Sequence, residues 1–206
     1  MNISTFGQDL LGGFEDFADK LNKFIAVEHD YVEGGLVVAL SSQFGSGKST
    51  FLQMWASSLE NADDQGEKKI VVQMNAWESD YLGDPLFAII SALVHTIKNQ
   101  NNEESAGKII NAAKDAGWFV TAIGGQVARK FTGVDPAAAA DLAEKKKTKR
   151  DEDIPTDAFS LYELRRHAMK SLKSAVKDFV DKTNSGVLFL IDELDRCRPD
   201  YAISYL

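Results

Sequence analysis

The chain has 206 residues, 44% of them hydrophobic, which is enough for one substantial core and predicts one domain, with an insertion, rather than two. Lysine and arginine number 23 against 31 aspartates and glutamates, and the resulting net charge of -8 argues against nucleic acid as a partner. A single cysteine excludes a disulfide framework. The N-terminal segment is acidic, which excludes a secretory peptide. No run of roughly 18 apolar residues is present, which excludes a membrane span.

Hydrophobic patterning predicts the first elements of the chain. Residues 13–26 carry apolar side chains at three- and four-residue intervals, which indicates an amphipathic helix. Residues 36–40 form a continuous apolar run that predicts a strand covered on both faces. A helix at 48–59 and a strand at 70–75 follow. This alternation of strand, helix and strand indicates an α/β fold with a parallel sheet.

The second half of the chain is predicted to be mostly helical. Asp84 and Pro85 are typical of a helix start, and that helix is expected to end near residue 98. Further helices are predicted at 107–131 and 159–181, and a buried strand at 187–191. Residues 105–157, which include a run of lysines, are predicted to be a helical insertion with a solvated tip.

A glycine-rich loop lies between the first predicted strand and the helix after it. Gly45 and Gly47 allow the backbone to turn its N–H groups inward around a phosphate, where a Cβ would obstruct the turn. Lys48 is predicted to reach the β- and γ-phosphates and to take part in catalysis, and Ser49 to give its hydroxyl to Mg²⁺. The predicted cofactor-binding residues are Phe44, Gly45, Ser46, Gly47, Lys48, Ser49 and Thr50.

The loop departs from the usual phosphate-binding pattern at one position. Ser42 stands where that pattern opens with glycine. The crowded part of the loop lies at Gly45 and Gly47, so we expect the loop to tolerate this serine. The competing interpretation is an ordinary Gly/Ser-rich turn before a helix that happens to contain a lysine.

The last predicted strand ends in two carboxylates. Asp192 is predicted to bind Mg²⁺ together with Ser49, because the carboxyl ends of parallel strands line the crevice where nucleotides bind. Glu193 is predicted to be the general base that polarises the attacking water. A solvated acidic turn would be the better interpretation if this motif stood alone. Downstream, Arg196 or Arg198 suits an arginine finger, or equally a salt bridge with a neighbouring aspartate.

Together, the motifs resemble the KAP family of P-loop NTPases. The resemblance rests on the Phe-Gly-Ser-Gly-Lys-Ser loop, on Asn-Ala-Trp after the second strand with Asp-Pro downstream, and on Leu-Ile-Asp-Glu-Leu-Asp-Arg-Cys at residues 190–197. It covers most of the chain. It implies a three-layer core with a parallel sheet, incomplete at the C-terminus, and a helical insertion between the glycine-rich loop (Walker A) and the acidic strand end (Walker B).

The resemblance also implies an activity. It points to an ATPase that binds ATP and Mg²⁺ and acts as a conformational switch, in phage defence or in a membrane-associated complex. A non-hydrolysing, nucleotide-sensing interaction module is the alternative, and a small-molecule kinase is disfavoured because no acceptor pocket is recognisable. The expectation that the nucleotide is ATP rather than GTP rests on the resemblance alone. Family members often carry membrane spans between the two motifs, but here residues 116–128 are too short an apolar run to cross a bilayer.

The same run, beside the lysines at 145–149, suits contact with a membrane surface or a protein partner. The single cysteine and the acidic N-terminal segment favour a cytoplasmic location, with a peripheral position at the inner membrane face as the alternative. Leu206 falls just inside the helix expected after the acidic strand, so residues 1–206 are predicted to be a truncated NTPase domain, either a fragment or a shortened gene product. The sheet edge that such a truncation exposes favours self-association.

Overall fold

A computed structural model describes residues 5–9, 12–61, 69–82, 85–124, 158–183 and 186–205. The chain forms two compact units, which are described separately. Unit 1 comprises Met1–Trp77 and Asn184–Cys197, and unit 2 comprises Glu78–Thr183 and Arg198–Leu206.

Unit 1 contains a small parallel sheet. Strand β1 is Ile70–Asn75 and strand β2 is Val187–Asp192, and their register pairs Ile70 with Val187 at one end and Asn75 with Asp192 at the other. Both strands were predicted from their apolar runs, and both predictions are confirmed. Because the strands are parallel, their carboxyl ends meet at the same edge, where Asn75 and Asp192 are neighbours.

One helix packs on both strands of this sheet, and a second helix packs on the first. Helix α1 is Phe14–His29 and helix α2 is Lys48–Glu60, as the periodicity predicts. The core of unit 1 consists of buried side chains from both helices and both strands: Ala18, Leu21, Phe51, Trp55, Ala56, Leu59, Val71 and Leu190. Its aromatic centre is Phe51, whose ring stacks on Trp55 at 5.7 Å and meets Phe14 edge-on at 5.6 Å.

The predicted strand at residues 36–40 is wrong. The segment has no strand pairing, and the described residues form a sheet of only two strands. Val37 is 74% exposed, although the apolar run predicts burial on both faces, and only Leu40 packs against the core of unit 1. A strand requires hydrogen bonds to a neighbouring strand, and no described strand lies beside this segment. The larger sheet of a three-layer core therefore stays a prediction.

Unit 2 is helical. Helices α4 (Pro85–Asn99), α5 (Glu103–Gly124) and α6 (Ala158–Val180) pack together, α4 on α5 and α5 on α6. The buried positions of this packing include Leu93, Ile97, Ile109 and Leu172. The short helix α7 (Pro199–Ile203) also belongs to this unit, and helix α3 (Ala76–Ser79) directly follows β1.

The predicted helix starts agree with the observed ones to different degrees. Helix α5 begins four residues before the predicted residue 107, because the side chain of Asn102 caps it by accepting a hydrogen bond from the Ser105 N–H at 3.2 Å. The predicted end of this helix, at residue 131, and most of the predicted insertion at 105–157 lie outside the described residues, as does the proposed cap Asp84. Of the helices that the structure describes, none is long and apolar enough to cross a bilayer.

Candidate functional site: the glycine-rich loop and the acidic strand end

The glycine-rich loop opens directly onto helix α2. Gly45 and Gly47 both adopt left-handed backbone conformations, with φ of 79° and 89°, which glycine reaches without the strain that a side chain brings. Gly47 is the residue before the helix, and its carbonyl accepts the first helical hydrogen bond, from the Phe51 N–H at 2.8 Å. The first-turn N–H groups of a 13-residue helix therefore follow the loop without interruption.

Side chains close the base of the loop. The hydroxyls of Ser42 and Ser46 share a hydrogen bond of 2.6 Å, and the Ser46 N–H donates to the Gln43 carbonyl at 3.2 Å. The serine that replaces the usual first glycine thus contributes a side-chain contact that glycine could not make. The motif pattern alone gives no sign of this contact, because it specifies only that glycine is expected at this position.

Lys48 folds back over the same loop. Its ammonium donates to the carbonyls of Ser42 at 3.1 Å and Gln43 at 3.5 Å. These carbonyls are neutral, so the ammonium keeps its net positive charge beside the exposed loop. Ser49 is exposed and Thr50 is half-buried in the first turn of α2, and Phe44 is 86% exposed in the loop. The loop therefore presents backbone N–H groups, one cation and two hydroxyls, a donor set suited to a phosphate chain.

The acidic strand end lies at the carboxyl edge of the sheet. Asp192 is the last residue of β2, and its Oδ1 accepts a hydrogen bond from the Glu193 N–H at 2.8 Å. Glu193 has a φ of 60° and a ψ of 28°, a left-handed conformation that is uncommon for a residue with a side chain. The chain therefore turns sharply at the second carboxylate.

Two partners hold the carboxylate of Glu193. The Nδ2 of Asn75 donates to Oε2 at 3.0 Å, and an Nη of Arg196 lies 3.1 Å from Oε1. The strand register explains the observed contact, because Asn75 is paired with Asp192, the residue before Glu193.

The two motifs share one unit but have no direct bond. Phe51, three residues after Lys48, and Leu190, two residues before Asp192, are both part of the core of unit 1. Among the described residues, no hydrogen bond or ion pair joins the loop to the acidic strand end. The same residues contain no cluster of three histidine, cysteine or acidic side chains for a metal. The predicted pair of Ser49 and Asp192 would thus need oxygens from a bound phosphate to complete Mg²⁺ coordination.

The predicted salt-bridge partners of two arginines need correction. Arg196 pairs with Glu193, and Arg198 pairs with Asp80 at 3.0 Å, rather than with the adjacent aspartates. The Asp80 carboxylate, by hydrogen bonding and charge, raises the pKa of Arg198 above its ordinary value. Trp77, in the Asn-Ala-Trp motif, is 54% exposed.

In this unit, a glycine-rich loop leads into a helix that packs on the sheet, and a parallel strand ends in carboxylates. This is the arrangement of a P-loop domain. Comparison of sequences identifies the particular group. Residues 14–206 match the KAP family P-loop domain, and the chain belongs to this family. No curated protein and no solved structure matches the chain significantly.

Proposed function

We propose that this chain binds ATP with Mg²⁺ and hydrolyses it. One observation carries the proposal: Gly45 and Gly47 are both left-handed in a loop that runs straight into helix α2. Left-handed glycines allow a loop to direct backbone N–H groups at an anion, and a helix N-terminus adds the positive end of its dipole, so the combination favours a phosphate chain. Membership of the KAP family supports the same activity.

Each predicted residue has a role in this proposal. Residues 44–50 would bind the phosphates, with Lys48 adding a positive charge and stabilising charge that develops in the reaction. Ser49 and Asp192 would hold Mg²⁺, which when bound neutralises phosphate charge. Glu193 would accept the proton of the attacking water.

Binding is tested by calorimetric titration with Mg-ATP. Lys48→Ala should weaken binding by at least about tenfold, because a charged hydrogen bond to phosphate contributes more than about 1.4 kcal/mol. Lys23→Ala removes one positive charge from the exposed side of α1 and should bind as the wild type does. Equal loss in both variants, or no binding by the wild type, would refute the nucleotide site. Competition with GTP in the same titration tests the preference for ATP.

Hydrolysis is tested by phosphate release. Glu193→Gln should keep nucleotide binding and lower turnover by about 10²–10⁴-fold, the usual contribution of a general base. Glu15→Gln, an exposed glutamate on α1, is the matched control. Asp192→Asn should raise the Mg²⁺ concentration needed for turnover. If the wild type binds nucleotide but releases no phosphate, the non-hydrolysing interaction module becomes the correct interpretation.

We further propose that nucleotide acts as a conformational switch for a partner, in phage defence or at a membrane. The exposed aromatic side chains of Phe44 and Trp77, each in or beside a nucleotide motif, support a partner-binding surface there. Hydrogen exchange of Glu193→Gln with Mg-ATP, compared with Mg-ADP, should differ outside the loop itself; identical exchange would refute the switch. Phage plating on bacteria that express the wild-type gene or Lys48→Ala tests the defence role.

A further inference from the structure

The carboxylate of Glu193 is held at both oxygens by side chains from two different segments. Asn75, at the end of β1, donates to Oε2 at 3.0 Å, and Arg196, three residues downstream, contacts Oε1 at 3.1 Å. Only 18% of the Glu193 side chain is exposed, whereas 47% of Arg196 is. The bond to Asn75 is therefore the better shielded of the two, and water can replace Arg196 more readily.

The orientation of the Asn75 amide follows from a second hydrogen bond. Its Oδ1 accepts from the Trp77 N–H at 3.0 Å, as a cap at the start of helix α3. An amide that accepts through oxygen on one side must present its NH₂ group on the other. Asn75 thus has two separable tasks: its oxygen caps a helix, and its nitrogen holds Glu193.

The backbone of Glu193 is also constrained at both ends. Its N–H donates to Asp192, and its carbonyl accepts from the Arg196 N–H at 3.1 Å. These bonds maintain the left-handed conformation that a glutamate otherwise avoids. With the backbone held, the hydrogen bonds to the carboxylate determine where its remaining lone pairs point.

We propose that Asn75 is a positioning residue for Glu193, assisted by Arg196, and that it sets the direction in which Glu193 meets the attacking water. This inference rests on the proposed hydrolysis. Each carboxylate oxygen accepts two hydrogen bonds, so a lone pair on each oxygen remains for water after Asn75 and Arg196 are bound. Fixing the carboxylate plane lowers the entropy lost when the reacting geometry forms.

The decisive variant is Asn75→Asp. Aspartate keeps the oxygen that accepts from the Trp77 N–H. It cannot donate to Glu193, so the variant loses the contact with Glu193 and retains the helix cap. Turnover should fall by about 10- to 100-fold, the loss expected for one hydrogen bond to a charged group, with the Kd for Mg-ATP changed less than about twofold. A purely structural cap, which this variant retains, would leave turnover unchanged.

Two further variants complete the test. Asn111→Asp, an exposed amide on α5, controls for the added charge and should retain wild-type turnover. Arg196→Met should lower turnover by about three- to tenfold, less than Asn75→Asp because this side chain is half-exposed. In a Glu193→Gln background, Asn75→Asp should cause no further loss, since residues that act through one group are not additive.

The outcomes separate this inference from the proposed function. If the wild type hydrolyses ATP and Asn75→Asp has the same kcat, the positioning role is wrong and the hydrolysis stands. If circular dichroism shows that Asn75→Asp is unfolded, the turnover of Arg196→Met becomes the test. Unchanged turnover in that variant overturns the proposal. If the wild type shows no turnover, both the function and the positioning role fail.

Discussion

Replacing Gly47 with alanine perturbs the phosphate loop at its most crowded backbone position. Its φ of 89° is left-handed, where a side chain costs about 1–2 kcal/mol. A Cβ there would lie 3.1 Å from Cζ of Phe14, tighter than ordinary contact, so the ring must move. That ring packs edge-on against Phe51, a contact that contributes about 0.5–1.5 kcal/mol. We therefore expect the free energy of unfolding to fall by about 1.5–3.5 kcal/mol.

Two other glycines separate these contributions. Gly45 is also left-handed, with φ of 79°, but nothing lies within 4 Å of an added Cβ. Gly45→Ala should therefore show only the backbone cost of about 1–2 kcal/mol. Gly107 lies inside helix α5 with equally open surroundings and no left-handed φ, so Gly107→Ala should stabilise by about 0.5–1 kcal/mol.

The assay is urea unfolding followed by fluorescence. The chain has three tryptophans, and replacing Trp77 and Trp118 with phenylalanine leaves Trp55, which is 3% exposed and part of the core of unit 1. Its signal then reports the unit that contains the loop. Equal stability of the Gly47→Ala and Gly45→Ala variants would contradict the contact with Phe14. A Gly45→Ala variant as stable as the wild type would contradict the left-handed backbone.

Three further changes test other contacts. The buried Trp55 indole N–H donates to Asn22 at 3.0 Å. Asn22→Ala removes this acceptor and should lower the free energy of unfolding in urea by about 1–3 kcal/mol. Asn22→Asp keeps an acceptor and should retain most of the stability. Tyr201→Phe removes a hydroxyl that donates to a neighbouring hydroxyl at 3.0 Å and should cost about 1 kcal/mol; no change would mean that water replaces this bond fully. A hydrogen bond from Lys108 lowers the pKa of Glu104 below 4.5, so this pair stabilises the fold above pH 4.5 and loses that contribution as the pH falls through the lowered pKa. Glu104→Gln should reduce the loss of helical circular dichroism on acidification; an unchanged acid titration would show that the pair contributes nothing.

Features that depend on neighbouring residues could be predicted from the sequence. Periodicity located helices α1, α2 and α6 within a few residues, and the apolar runs located both strands of the sheet. The glycine-rich loop and the paired carboxylates were recognisable because their chemistry needs particular residue types at fixed spacing. The same motifs led to the KAP family, which the match over residues 14–206 confirms.

Features that depend on distant partners became visible only in the folded chain. Residues 36–40 have the composition of a buried strand, yet no described strand pairs with them and Val37 is exposed. Asn75 contacts Glu193 across 118 positions of sequence, and Arg198 contacts Asp80 across the same separation. Such contacts arise from strand register and chain packing, and side-chain identity alone does not encode which of several acceptors a donor reaches.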